Sequence, residues 1–138
     1  MQNFRSHFHC IHDMQYHLVL VTKYRKKCIK EPMLKDLENI CRKTLESWDC
    51  QLKEFGGESD HVHLLFQAHP SLKTCDLVAN LKTVSSRLIR KKHAQYLAQF
   101  YWKPFFWTRS YCILSTGGAP IEIIRQYIQN QSQNSSAQ

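Results

Sequence analysis

The sequence predicts an α+β domain in which helices cover one face of an antiparallel sheet and a further helix ends the chain. Short apolar runs typical of strands alternate with two longer stretches whose apolar residues recur every three or four positions, as on one face of a helix. With 43% apolar residues, the 138 residues can form one hydrophobic core. We therefore expect residues 1–138 to form a single domain, with a disordered Ser/Asn/Gln-rich tail at 132–138.

Seven segments carry these patterns. In chain order they are strand 16–21, helix 32–48, strand 50–56, strand 61–66, helix 75–93, strand 110–115 and helix 120–131. The first strand is aliphatic, and the first helix follows Pro32, a residue favoured in a first helical turn. The pair Gly56-Gly57 ends the second strand, and the third strand alternates apolar and polar residues.

The second helix begins near residue 75, where Thr74, Asp76 or a neighbouring residue caps it, and it has one apolar and one basic face. The fourth strand precedes Gly117-Gly118, and Pro120 begins the last helix. Four strands interleaved with two helices in the order β-α-β-β-α-β favour a ferredoxin-like antiparallel sheet with its helices on one face. The last helix is an addition to that plan.

Basic residues are concentrated in the second half of the chain. The net charge is +8; residues 1–76 carry 11 basic and 10 acidic residues, whereas residues 77–138 carry eight basic residues and one acidic residue. This imbalance favours a polyanionic partner, although a solvated basic surface explains the charge equally well. The candidate phosphate-binding residues are Lys23, Arg25, Lys82, Arg87, Arg90 and Lys91.

Composition also bounds the setting of the protein. No apolar run approaches the roughly 20 residues of a membrane span, and the N-terminus lacks the apolar core of a signal peptide. The six cysteines include no CxxC pair, which argues against a zinc ribbon or a thioredoxin-like motif. We expect a cytoplasmic protein without membrane contact, whose cysteines are reduced and partly buried.

The strongest local motif is a histidine pair in the third strand. Alternate residues of a strand share a face, so His61 and His63 project together, about 7 Å apart at Cα, while Val62 and Leu64 point into the core. Two imidazoles at this distance can converge on one metal ion or one phosphate. The alternative is a pair of ordinary half-exposed histidines. A histidine-triad hydrolase is excluded, because Leu65 occupies the position that its third histidine needs.

The last helix offers a second set of reactive groups. Tyr127 and Gln131 are four residues apart, which places them on one helix face. The amide oxygen of Gln131 is a candidate third metal ligand, and the phenol of Tyr127 is a candidate nucleophile for phosphodiester chemistry. Read alone, Tyr127 fits a core aromatic residue better, and Gln131 fits a surface residue better.

Aromatic residues are dense before the fourth strand. Residues 96–111 hold eight of the chain's 16 aromatic side chains, with Lys103 and Arg109 between them. Exposed members of this group can stack on unpaired bases. The alternative is that most of them close the core beneath the basic helix.

Taken together, these motifs resemble the single-tyrosine HUH transposases, which small bacterial and archaeal insertion sequences use to move as single-stranded DNA. The matching stretches are Tyr16-His17-Leu18-Val19, Thr22-Lys23-Tyr24-Arg25, Asp60-His61-Val62-His63-Leu64-Leu65, Leu81-Lys82, Ser85-Ser86-Arg87, Trp107, Ser110-Tyr111, Ser115-Thr116-Gly117-Gly118 and Tyr127-Ile128-Gln129-Asn130-Gln131. The order and spacing of the motifs carry the resemblance, which spans about residues 15–131.

The resemblance implies a mechanism. In similar proteins the two histidines and the glutamine, here His61, His63 and Gln131, bind Mg²⁺ or Mn²⁺. The tyrosine, here Tyr127, forms a 5′-phosphotyrosine and frees a 3′-hydroxyl. Such proteins are homodimers with composite active sites, in which the histidines come from one subunit and the tyrosine helix from the other. Their substrate is single-stranded DNA with hairpins.

Several other functions stay open at this point. A domesticated relative that acts on dispersed palindromes would carry the same motifs. A non-catalytic nucleic-acid-binding module of ferredoxin-like fold would explain the charge, but it would leave the histidines and the tyrosine without a role. A replication initiator or relaxase usually has a third metal histidine, and a phosphoesterase would release its product without a covalent intermediate.

Overall fold

A computed structural model describes residues 14–115 and 126–131 of the chain. In chain order the elements are β1 (Met14–Val21), a 3₁₀ turn (Lys23–Arg25), α1 (Glu31–Ser47), β2 (Gln51–Gly57), β3 (His61–Ala68), α2 (Thr74–Lys92), α3 (Ala94–Leu97) and β4 (Cys112–Ser115). Residues 126–131 are helical as well. The order of strands and long helices is the one that the sequence predicts.

The four strands form one antiparallel sheet in the order β2-β3-β1-β4. The first and third strands of the chain therefore lie in the centre, and the strands that follow the two long helices lie at the edges. This arrangement confirms the predicted α+β, ferredoxin-like sheet. Strand β2 carries an irregularity between Leu52 and Glu54, which shifts its register against β3.

One face of the sheet packs against α1 and α2. Leu18 pairs with Leu64, and Leu20 pairs with Val62, so the apolar side chains of β1 and β3 form continuous rows. The helices contribute their own fully buried rows to the same core: Met33, Leu37, Cys41 and Leu45 from α1, and Leu77, Leu81 and Ile89 from α2. Burial of these side chains stabilises the fold and fixes the helices on this face.

The opposite face carries the polar residues of the central strands. In the β1–β3 ladder, Val19 lies opposite His63 and Val21 lies opposite His61. His17 shares this face because it lies two residues before Val19 on the same strand. The strand alternation that buries the core thus presents the histidine pair on the face away from α1 and α2.

The element boundaries differ little from those predicted. The predicted side-chain cap of α2 is wrong: Lys73 precedes the helix, and neither Thr74 nor Asp76 caps it. The fourth strand begins at Cys112 rather than residue 110, because the chain before it is held by α2, whose Lys82 Nζ donates hydrogen bonds to the carbonyls of Thr108 and Arg109. The predicted helix start at 120 and the tail at 132–138 lie outside the described residues.

Two further observations concern the helices and the cysteines. Within residues 14–115 and 126–131, no helix combines the length and the apolar character needed to cross a membrane. The described cysteines are free, and Cys28, Cys41 and Cys50 are buried. Burial raises the pKa of the Cys28 thiol to about 11 and that of Cys41 and of Cys50 to about 12. These thiols are therefore protonated, unreactive core residues.

Candidate active site

The histidine pair lies at the wall of an open cavity of about 580 Å³. His61 is 8% exposed, whereas His63 is exposed. Other described residues around this cavity are His17, Arg25, Glu54, Glu58, Ile128 and Gln129. The cavity therefore collects imidazole, carboxylate and guanidinium groups from β1, the 3₁₀ turn, β2 and the residue after it, and β3, together with one side of the 126–131 segment.

A chain of two polar contacts orients His61. Nδ1 of His61 lies 2.9 Å from Oδ1 of Asp60, and Arg25 Nε donates a 2.7 Å hydrogen bond to Oδ2 of the same carboxylate. Asp60 is 5% exposed, so its charge is compensated by Arg25 rather than by solvent. A neutral His61 that donates from Nδ1 to Asp60 keeps its Nε2 lone pair available for a metal ion. Arg25, predicted to bind DNA, is thus engaged in the support of His61.

The turn that carries Arg25 has an unusual backbone. Tyr24 has φ 58° and Arg25 has φ 53°, both in the left-handed region that residues other than glycine avoid. Such conformations cost roughly 1–3 kcal/mol each and persist where neighbouring structure imposes them. Thr22 supplies that structure: its Oγ1 donates to the Lys26 carbonyl at 2.7 Å, and its N–H donates to the Asp60 carbonyl at 3.0 Å. The turn therefore holds Arg25 against Asp60.

His63 lies against a glycine of the neighbouring strand. Gly56 pairs with His63 across the β2–β3 ladder, and a Cβ at Gly56 would lie 2.8 Å from Nε2 and 2.9 Å from Cε1 of the ring. Any side chain at Gly56 would displace the imidazole. Although the residue is exposed as a whole, the protein removes part of its ring from water, and this desolvation, followed by the positive charge that His61 carries when protonated, lowers the pKa of His63. Both effects favour the neutral ring that binds metal ions.

The donor set of this cavity fits a divalent ion in part. Two neutral imidazoles on one strand face suit Mn²⁺ and other first-row ions, and a hard ion such as Mg²⁺ would need additional oxygen ligands. Within the described residues, no group of three or more His, Cys, Asp or Glu side chains is arranged to hold a metal. Further ligands would have to come from an amide, a second chain or the substrate.

Tyr127 and Gln131 lie near this cavity but do not line it. The neighbouring Ile128 and Gln129 do. The Tyr127 hydroxyl lies 3.4 Å from Ser110 Oγ, to which it donates, and Gln131 is 9% exposed. Burial raises the pKa of Tyr127, against the lowering effect of the Ser110 hydrogen bond. One chain therefore brings the 126–131 segment to the histidines without bringing the phenol to them.

The predicted phosphate-binding residues of α2 divide into two groups. Arg87 and Lys91 are exposed, and Arg90 is half-buried with its Nε donating to Ser86 Oγ at 3.1 Å. Lys82 is engaged with the carbonyls of Thr108 and Arg109 at 2.8 and 2.6 Å, and burial lowers its pKa. A role in DNA binding stays a prediction for all four residues, although Lys82 already has a structural one.

The aromatic segment also divides. Tyr101, Phe106 and Trp107 are buried in the core, as the non-functional interpretation of this segment expects, whereas Trp102 is 92% exposed. Lys23, also predicted to bind phosphate, has its Nζ 5.2 Å from the centre of the Tyr24 ring and 5.1 Å from that of Phe105.

Three residues that line the cavity or contact its histidines escaped the sequence-based assignment of roles. His17 shares the face of the histidine pair, and its place two residues before Val19 on an alternating strand was an available signal. Asp60 precedes His61 directly, where a carboxylate can orient a metal-binding imidazole. Gly56 gave no such signal, because its role depends on which residue lies opposite it in the sheet.

Comparison with known proteins agrees with this arrangement. The family model described as "Transposase IS200 like" matches residues 10–131. The ISDra2 transposase TnpA of Deinococcus radiodurans is 30% identical over 121 residues, covering 88% of this chain and 86% of that protein. The transposase for insertion sequence element IS200 of Salmonella typhimurium is 27% identical over 127 residues, covering 92% and 82%.

A solved structure agrees as well. The crystal structure of a protein assigned as a transposase from Deinococcus radiodurans R1 superposes with a TM-score of 0.81 at 30% identity, covering 95% of this chain and 98% of that one. The match thus extends over the sheet, the two long helices and the histidine cavity together. The chain belongs to the IS200-like transposase family and is a DNA-processing enzyme of the transposase class.

Proposed function

We propose that this transposase cuts and rejoins single-stranded DNA at hairpin-containing element ends, with Tyr127 as nucleophile and a divalent ion, Mg²⁺ or Mn²⁺, at His61 and His63. The observation that carries the proposal is the Arg25–Asp60–His61 chain beside His63, in which a buried carboxylate orients an imidazole toward an open cavity. What sets this chain apart from the structural His93–Asp36 pair is that it borders an open cavity together with a second histidine.

The ion would be held by His61 and His63, with Gln131 as third ligand. When bound, it supplies a positive charge that orients a phosphodiester and offsets the charge developing on it. The chain's own contribution is to fix the two imidazoles: Asp60 sets the tautomer and angle of His61, and Gly56 leaves room for the ring of His63. Glu54 and Glu58 line the same cavity and would add negative charge to a site that holds the ion.

Tyr127 would attack the phosphorus of the scissile bond. The phenolic oxygen forms a phosphotyrosine with the 5′ side of the break, the phenol loses its proton, and the departing 3′-oxygen gains one. Since one phosphoester bond replaces another, a 3′-hydroxyl can later reverse the reaction and rejoin the strands without an external energy source. In the position described, the Tyr127 hydroxyl donates to Ser110, so the phenol would have to exchange this hydrogen bond for contact with a phosphate.

We further propose a homodimer with composite active sites. A phenol held at Ser110 in its own chain is compatible with a site that takes Tyr127 and Gln131 from one subunit and the histidine pair from its partner. The outer edges of the described sheet, β2 and β4, are the places where a second sheet could continue it.

The test is formation of a covalent protein–DNA adduct. Wild-type protein, a fluorescent single strand with a hairpin and Mg²⁺ should give a denaturant-resistant band, and peptide mapping should place the DNA on Tyr127. Tyr127→Phe should bind the strand and give no adduct, whereas the matched control Tyr111→Phe should react normally. Cleavage by Tyr127→Phe, or an adduct on another tyrosine, would contradict the assignment.

Two further arms of that experiment address the metal and the dimer. His61→Ala and His63→Ala should each abolish the adduct while strand binding persists. Mixing His63→Ala with Tyr127→Phe should restore cleavage, because one of the two composite sites in the mixed dimer is intact. A mixture that stays inactive while the wild type reacts would place the whole site within one subunit.

A further inference from the structure

An exposed surface beside the histidine cavity combines aromatic rings with lysines. We call it the aromatic–lysine patch: Lys23, Tyr24 and Phe105 contact one another, and Trp102 and Lys103 precede Phe105 on the same loop. Trp102 is 92% exposed and Tyr24 is 40% exposed, and Lys103 is exposed as well. Large apolar side chains in water are informative when they cluster, because burial against a ligand would be favourable.

The patch is held in place by buried groups beneath it. Tyr101, which is 8% exposed, donates a 2.7 Å hydrogen bond to the Lys23 carbonyl and packs edge-on against Phe105 at 6.3 Å. The Lys23 N–H donates to the Phe106 carbonyl at 2.8 Å. The rings of Tyr24 and Phe105 meet edge to face at 6.0 Å. The two loops that form the patch are therefore joined, and the left-handed backbone at Tyr24 presents its ring outward.

The patch lies between two regions already described. Arg25, the residue after Tyr24, contacts Asp60 and lines the histidine cavity. On the other side, Phe105 shares a hollow of about 210 Å³ with Lys82, Thr83 and Ser86 of α2. The patch is therefore linked through Arg25 to the histidine cavity and through Phe105 to Lys82 on α2.

We propose that the aromatic–lysine patch binds unpaired bases of single-stranded DNA next to the histidine cavity. Bases of a single strand have free faces that stack on aromatic rings, whereas bases within a duplex are already stacked on one another. Lys23 and Lys103 are placed to pair with the flanking phosphates. This inference rests on the proposed function, in which the strand to be cut is single-stranded.

The test compares strands with and without bases. The background is full-length Tyr127→Phe protein, so that no cleavage interferes, and the probes are fluorescent oligothymidylate and an abasic strand of equal length and charge. Trp102→Ala should weaken binding of oligothymidylate about 5- to 150-fold, the range that loss of one stacked base implies. It should leave binding of the abasic strand unchanged, and Tyr24→Leu should behave in the same way.

The matched control removes an aromatic residue at the opposite end of the sheet. Trp48 lies just before β2, whose first residue, Gln51, pairs with Gln67 near the end of β3. The patch follows the last residue of β1, which lies at the other end of the sheet. Trp48→Leu should bind both strands as the parent does. Because Trp102 is almost fully exposed, its replacement should not disturb folding, which the unfolding midpoint verifies.

Three outcomes would contradict the proposal that the patch binds unpaired bases. They are unchanged binding of oligothymidylate by Trp102→Ala, an equal loss for the abasic strand, and a surface that binds a protein or a lipid vesicle in preference to the strand. These are distinct from failure of the proposed function: a wild type that forms no adduct while binding stays base-dependent would leave the patch intact. Conversely, a normal adduct with base-independent binding would contradict base binding by the patch and leave the proposed function in place.

Discussion

The two faces of the central sheet come from the same strands and have opposite consequences. Along β3, Val62 and Leu64 are fully buried beneath the helices, whereas His61 and His63 face a solvent-accessible cavity. The apolar face stabilises the fold by removing hydrocarbon from water. The polar face contributes chemistry, and its positions depend on contacts with Asp60 and Gly56 rather than on the core. Neighbouring residues of one strand should therefore respond very differently to substitution.

The largest effect on stability is expected on the apolar face. Leu64→Ala would leave a cavity among β1, β3 and the helices and should lower the free energy of unfolding by about 2–5 kcal/mol. His63→Ala, one residue away on the cavity side, should change it by less than about 1 kcal/mol while abolishing the covalent adduct. Urea unfolding followed by circular dichroism measures both. Equal destabilisation by the two variants would show that His63 is a core residue and not a ligand.

An intermediate effect is expected at Asp60, the carboxylate that links Arg25 to His61. Asp60→Asn keeps the shape but loses the charge that orients His61, and should weaken Mn²⁺ affinity about 10- to 100-fold. Isothermal titration with Mn²⁺ measures this independently of DNA cleavage. Asp36→Asn, the same change on the helix side, is the control and should bind Mn²⁺ normally. Unaltered affinity in Asp60→Asn would remove the orienting role from this carboxylate.

The smallest effect is expected at the helix-side ion pair. Asp36 accepts 2.8 Å hydrogen bonds from Lys92 Nζ and His93 Nε2, which link α1 to the end of α2. The bond with Lys92, followed by that with His93, lowers the pKa of Asp36 below its ordinary value. A carboxylate with a lowered folded-state pKa adds stability above its unfolded pKa, near 3.9, and loses that stability as the pH falls through the folded value.

Asp36→Asn should therefore destabilise the protein by about 0.5–1 kcal/mol at neutral pH. The difference from the wild type should shrink in acid and vanish below the folded pKa of Asp36. Unfolding midpoints across this pH range provide the measurement. A constant difference down to the most acidic condition would mean that the ion pair does not account for the effect.

The local periodicity of the sequence was sufficient to predict the secondary-structure elements and their buried faces. The three- and four-residue spacing in the two long helices, and the alternation along β3, name the buried residues because these patterns are properties of a single element. They also put His61 and His63 on one face. The order of short motifs from Tyr16 to Gln131 was sufficient to indicate the family, which depends on the sequence of elements rather than on their packing.

Tertiary structure decided what lies around those residues. Arg25 reaches Asp60 across 35 positions, and Gly56 meets His63 through a register that the irregularity in β2 sets. Whether Trp102 is exposed and Trp107 buried depends on which side of one loop faces α2. These contacts join segments far apart in the chain, so no local pattern encodes them. The sequence by itself determined the elements, their faces and the family, and only the packing of loops against the sheet determined how the histidines are supported and which aromatic rings remain exposed.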